Sequence, residues 1–457
     1  MKKKLLALSI TGALLCGMQS PTSIARDAVI TATSGDQNAI ITVKFLIRSD
    51  QEKRLERAIL AASDPDSPRY GHYLTDKQLD SYRPKKSWVN KVVHYLEKEG
   101  YSPRVDRSGH WVETDMTVAQ AAALAGVVLS QRTSETGQTY WVPNQRAMVP
   151  AALQNVVEVI MGLDQTPVPR RAHRGRVSQP SSAKQVANQV LTQSGSPLFI
   201  SWQVNAGTQV GCAESRGPFT GTYGPQLPYT PNQWLHAYGI DQLHAQGYTG
   251  QGERLALIEV GDVSQSDLDG FTTCFDLPRQ TPIVHAVPER NILPVSEETI
   301  LDVEILSAVA PGLERIDIYE TGSIEDLALA MLEAISPPAG TKPNVISISL
   351  GYCEAQNSLS GASALWERAN RRAAAQGISV FVATMDQGPT ECHYDAPWGR
   401  NAARLYSPGY PASSPWVTAV GGTNLLLDQS NQIVKEIPRS EERRVGKECR
   451  SRWSPYH

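Results

Sequence analysis

Asn344-Val-Ile-Ser-Ile-Ser-Leu350, then a helical run over 362–376, then Ile378-Ser-Val-Phe-Val-Ala383 is the stretch that decides the fold. Two short apolar runs flank a helix, and that order predicts two parallel strands joined by a crossover. The pattern extends to both sides. Leu255-Ala-Leu-Ile-Glu-Val260 reads as a strand, 297–310 as a helix, 317–320 as a strand and 323–335 as a helix. Val417-Thr-Ala-Val-Gly-Gly422 reads as one more strand, and a helix is expected from Pro231 to about 239. Apolar strands alternating with helices predict an α/β unit whose parallel sheet is covered on both faces. Ligands and catalysis then belong at the C-terminal ends of the strands.

The chain before this unit has a different rhythm. Residues 39–48 alternate as a strand, and 51–62 form a helix with Leu55, Ala58, Ile59 and Ala62 on one face. Asp64-Pro-Asp-Ser-Pro68 breaks the pattern. An amphipathic helix is expected over 86–100, strands over 111–114 and 139–143, and an Ala-rich helix over 118–126. Pro150 near the start of a further run predicts a helix over 150–160, since Pro lacks only an N–H that is unsatisfied there anyway. Mixed strands and helices over this length suggest a compact α+β domain. Residues 165–200 turn polar, basic and rich in Pro and Ser, as exposed linkers do, and 201–227 read as loop. The expected division is 1–25 as a signal, 26–165 as a first domain, 166–228 as linker and loop, and 229–438 as a second domain, with 439–457 as a tail unlike the rest.

The chain has 457 residues, long enough for more than one core. Lys2, Lys3 and Lys4 precede an apolar run to Met18, and Ser23 and Ala25 fit a cleavage site, so the start reads as a secretory signal. No later run is long and apolar enough to cross a bilayer, and no membrane segment is expected in the mature protein. Removing the three lysines of the start and the tail's excess of three positive charges from a net charge of −3 leaves the body at about −9. That balance argues against a nucleic-acid partner. Outside Cys16 and Cys449 four cysteines remain, and an exported chain would pair them in one of three ways. Cys353 and Cys392 each follow a buried strand of one sheet, which favours joining them and leaves Cys212 for Cys274. No Cys-x-x-Cys pair suggests zinc.

Several long motifs carry a family likeness. Asp66-Ser-Pro-Arg-Tyr-Gly-His-Tyr-Leu-Thr75 and Val149-Pro-Ala-Ala-Leu-Gln-Asn-Val-Val-Glu-Val-Ile-Met-Gly-Leu-Asp164 stand in the first domain. Tyr229-Thr-Pro-Asn-Gln-Trp-Leu-His-Ala-Tyr-Gly-Ile-Asp241, Ser347-Ile-Ser-Leu-Gly351 and Tyr410-Pro-Ala-Ser-Ser-Pro-Trp-Val-Thr-Ala-Val-Gly-Gly-Thr423 stand in the second. Together, and in this order, they resemble the sedolisin or kumamolisin-like serine-carboxyl peptidases. The resemblance implies a subtilisin-like catalytic domain preceded by a ferredoxin-like prodomain that binds its own catalytic domain. It further implies polypeptide substrates, a monomer, and calcium bound by residues beyond this chain's end. Residues 439–457 resemble the translation of a sequencing adapter, so the sheet is expected to be cut short. The Gly-Thr-Ser that supplies the family's nucleophile does not occur, and the chain as written is expected to hydrolyse nothing. A non-catalytic module that binds or inhibits a partner protease is the alternative.

The candidate chemistry rests on three acids. Glu298 and Asp302 are four apart on a helix and share a face. Ile305, Leu306 and Val309 accompany them, so this face is expected to point inward and desolvation to raise at least one carboxyl. From spacing alone Glu298 could be an ordinary acidic first turn; the resemblance implies instead that Glu298 is the general base and Asp302 its orienting acid. Asp386, after the strand ending at Ala383, matches the acid that completes the family's oxyanion hole. Such an acid must be protonated to donate, which favours acidic working pH. Met385 stands where the family has Gly, and a turn with positive φ would be costly for it. Ser347 and Ser349 read as core of a buried strand. The nine His show no metal-ligand spacing, and no Gly-x-Ser-x-Gly elbow occurs.

Overall fold

A computed structural model of the protein describes residues 35–134, 137–167, 207–215, 219–221, 224–226, 229–287, 292–338, 340–385, 391–393 and 407–438. The signal and the tail of the expected division lie outside these residues.

The first unit is built from β1 (Ile40–Ile47), α1 (Glu52–Ser63), α2 (Lys86–Lys98), β2 (Arg104–Val105), β3 (Trp111–Thr117), α3 (Val118–Ala125), β4 (Leu129–Thr133), β5 (Thr139–Pro143) and β6 (Val157–Met161). Its four-stranded sheet runs β2-β3-β1-β6 with antiparallel neighbours, and β4 and β5 form a separate ladder. Thr117 caps α3 through a capping box and Gly126 ends it in the left-handed conformation. The helix expected over 150–160 is corrected here: residues 151–156 are turns and 157–161 are strand. Val157, Val159 and Ile160 are β-branched, and pairing with β1 buries them; that outweighs the favourable Pro150. Alternation gives β1 two working faces. Ile41, Val43, Phe45 and Ile47 pack into the unit's own core with Val92, Leu96 and Val112, while Leu46 points the other way.

The second unit contains α4 (Pro231–Ala237), β7 (Arg254–Glu259), α5 (Gln265–Cys274), β8 (Ile283–Ala286), α6 (Glu297–Val309), β9 (Arg315–Glu320), α7 (Ile324–Ala334), β10 (Val345–Ile348), α8 (Ala362–Ala375), β11 (Ser379–Ala383), β12 (Thr418–Val420), β13 (Thr423–Leu427) and β14 (Ile433–Pro438). Six strands form one parallel sheet in the order β8-β9-β7-β10-β11-β12. Helix α5 packs beside α6, and α7 beside α8. Disulfides join Cys212 to Cys274 and Cys353 to Cys392, with Cα atoms 4.8 and 4.7 Å apart.

Nearly every side chain of α7 is buried. A helix apolar on all sides needs cover on all sides, and α7 has it, because the first unit's sheet lies against it. Leu46, Val159 and Met161 join the core formed by Ile258, Leu327, Met331 and Trp366. Polar contacts fix the join. Lys44 meets Asp326 at 2.8 Å, Gly162 N–H donates to Glu325, and Arg368 donates to the Ile47 carbonyl at 2.7 Å and to Glu158 at 2.8 Å. At the end of α8, Gly377 (φ +74) leaves room for Tyr73; a Cβ there would lie 2.6 Å from its ring.

Candidate active site

Helix α6 follows Ser296 and opens with Glu297 and Glu298. Its buried residues are Thr299, Val303, Ser307 and Ala308, not the expected Ile305 side. Ile305 is 41% exposed, and Leu306 and Val309 are only half-buried. The inner face meets Leu255, Leu257, Leu268, Ile316 and Ile318 over most of its length. Glu298 and Asp302 therefore sit half-buried on the helix flank rather than on its core face.

Asp302 has two hydrogen-bonding neighbours. Ser349 Oγ donates to its Oδ2 at 2.6 Å. This corrects the expectation for Ser349: it lies past the C-terminal end of β10, half-buried, and turns toward the carboxylate rather than into the core. The other neighbour is Glu259, the last residue of β7, which is fully buried and hydrogen-bonded to Asp302. Thr299 Oγ lies 3.2 Å from Glu259 Oε2 and 3.0 Å from the Gly261 carbonyl, and its one proton can serve only one of them at a time. Glu259 Oε1 meets no N–H or hydroxyl donor.

Those partners fix the protonation. Burial pushes Glu259 well above the usual carboxyl range, and the nearby charges of Asp302 and Glu298 push the same way. Asp302 is raised too, by burial, but hydrogen bonds from Ser349 and Glu259 oppose that rise. Burial and the neighbouring charges thus favour the protonated form of Glu259, which can donate to Asp302. Glu259 was missed by sequence reasoning. Its signal was a single carboxyl at the end of an otherwise apolar strand.

Asp386, the third expected acid, lies outside the described residues. Met385 before it is described, and its φ is 63°. The chain adopts the left-handed conformation at Met385, which is costly for a residue with a Cβ. Among the described residues there is no group of three or more His, Cys, Asp or Glu that could hold a metal ion.

Residues 29–166 match the model of the pro-kumamolisin activation domain. The chain is 25% identical to sedolisin of Pseudomonas sp. (strain 101) over 426 residues, covering 90% of this chain and 64% of that protein. It is 25% identical to xanthomonalisin of Xanthomonas sp. (strain T-22) over 424 residues, covering 87% of this chain and 47% of that one. The chain is thus similar to sedolisin and xanthomonalisin over most of its own length. Tripeptidyl-peptidase 1 of Bos taurus is 27% identical over 406 residues, covering 85% and 62%. Among solved structures, Pseudomonas sedolisin, a serine-carboxyl proteinase complexed with pseudo-iodotyrostatin, matches at 26% identity and a TM-score of 0.36, over 45% of this chain and 56% of that chain. The chain thus spans less than two thirds of the length of these sedolisin-like relatives.

Proposed function

We propose that this chain is part of the zymogen of a secreted, acid-acting serine-carboxyl endopeptidase. The first unit is its prodomain, and the boundaries near 165 and 229 separate it from the catalytic domain. Glu298 is the general base that takes the proton of a serine hydroxyl supplied by sequence downstream of residue 438. Asp302 orients Glu298 and accepts hydrogen bonds from Ser349 and Glu259 that hold it in place. A protonated Asp386 donates to the oxyanion.

The observation that carries this reading is the row Glu259–Asp302–Ser349 at the C-terminal edge of a parallel sheet, with Glu298 one helical turn before Asp302. Hydrolysis of a peptide by a serine needs a base and a group that holds the base in place. A carboxylate can act as that base only while it is ionised, and a carboxyl can serve the oxyanion only while protonated. Their pKa values must therefore be split, and activity belongs at acidic pH.

The test is cleavage of a denatured protein at about pH 4, near the ordinary carboxyl range, by protein expressed with its full downstream reading frame. Glu298→Ala is expected to lower the rate by about 100- to 10,000-fold, the span of general-base contributions. Equal cleavage by the variant, or none by the parent protein, rejects the reading.

A further inference from the structure

We propose that Met385 sets the substrate specificity of this site by filling a slot that would otherwise accept a large side chain next to the cleaved bond. The inference rests on the peptidase reading above and adds the class of polypeptide that the site takes.

The slot has two walls without side chains. One is Gly351, two residues past the Ser349 that bonds Asp302. The other is Gly409, which pairs with Cys353 in a short antiparallel ladder beside the ends of β10 and β11. Both glycines are buried, and Met385 covers them while remaining partly exposed itself. A Cβ on Gly351 would lie 3.0 Å from the Tyr410 carbonyl oxygen, 3.1 Å from Met385 Sδ and 3.2 Å from its Cγ. A Cβ on Gly409 would lie 3.0 Å from the same Cγ. The thioether side chain therefore occupies the space between the two bare backbones. That space lies at the C-terminal edge of the sheet, on the same side as the carboxylates, where a substrate must pass.

The conformation of Met385 supports a role. Its φ of 63° is one that glycine adopts freely and a residue with a Cβ adopts at a cost. A strained position beside a candidate site is a reason to ask what its side chain does there. Here it does one visible thing, which is to close the gap between Gly351 and Gly409. A polypeptide seated against Gly351 must then present Gly, Ala or Ser there, because an aromatic or branched side chain would meet the methionine. Removing the side chain takes the thioether away from both glycines and leaves the Tyr410 and Thr384 carbonyl oxygens beside them.

The experiment compares cleavage of a peptide library varied in size at each position around the scissile bond, using protein expressed with its full downstream reading frame. Parent, Met385→Gly, Met385→Ala and Glu298→Ala proteins are assayed, and thermal melting confirms that each is folded. The expected result is a preference for small residues at one position in the parent. That preference shifts toward Phe and Leu by about tenfold or more in Met385→Gly, the scale at which pocket size discriminates, and by less in Met385→Ala. Cleavage that depends on Glu298 but keeps one size profile in all three proteins, or a parent that already prefers aromatic residues, overturns the inference and leaves the peptidase reading standing. Cleavage that is absent, or indifferent to Glu298→Ala, overturns both.

Discussion

Glu259 is fully buried beside the half-buried Asp302, and this has a consequence for stability. Glu259 keeps its proton in the folded chain at pH values where the unfolded chain has lost its own. The unfolded state then binds fewer protons, so stability falls as pH rises from the ordinary glutamate range through the raised value. Glu259→Gln keeps an N–H donor toward Asp302 and removes the ionisation. Its melting temperature is expected to gain on the parent's as pH goes from about 4 to 7, the interval above the ordinary carboxyl range; equal shifts at both ends would contradict the pairing. Ser349→Ala removes the other donor to Asp302 and is expected to slow cleavage while sparing the fold, a difference that parallel rate and melting measurements would reveal. The sequence made Glu298 and Asp302 legible, because their spacing and surrounding motif stood out. It hid Ser349, because its β-strand neighbours are apolar and one residue decides whether a side chain ends in the core or at the sheet's edge.

Helices α7 and α8 bear the join between the two units, and Arg368 is its central polar group. The guanidinium is buried, and burial lowers its pKa despite the opposing charges of Glu158 and Glu52. Arg368→Ala strips the Ile47 carbonyl of a buried donor, and a cost of about 1–3 kcal/mol follows from leaving such a group unpaired. Melting of the variant should show it, with exposed Lys53→Ala as a neutral comparison. No change would mean that the contact contributes nothing to docking. At this scale many elements were legible from period and punctuation: α2, α3, α6, α7, α8 and strands β5, β7, β9, β10, β11 and β12 lie within a residue or two of expectation, whereas β2 and β4 were not foreseen and β3 runs three residues further. Two readings failed for physical reasons. The expected helix at 150–160 lost to strand pairing with β1, which local propensity cannot foresee. The expected inner face of α6 was chosen by hydrophobicity, whereas the helix buries Thr299 and Ser307, whose hydroxyls bond to Glu259 or Gly261 and to the Val303 carbonyl.

The described residues form two units joined across the layer of α7 and α8. That a mixed unit precedes the parallel-sheet unit was legible from the change in strand and helix rhythm. Helix α5, strand β8 and the β13–β14 hairpin were not, since Gly, Thr and Asp interrupt the first and the others are short or at an edge. The zymogen reading predicts that acid incubation of the complete protein cuts it between residues 166 and 228, and that Glu298→Ala blocks the cut. N-terminal sequencing of the product would locate it. The account rests most on two flanking carboxylates acting together, and kcat/KM against pH for one peptide tests that claim most directly. The parent protein is expected to gain activity as pH falls into the carboxyl range, and Glu298→Gln and Asp302→Asn are each expected to lose about 100-fold or more at every pH. A rate that peaks at alkaline pH, or survives either substitution, would contradict it.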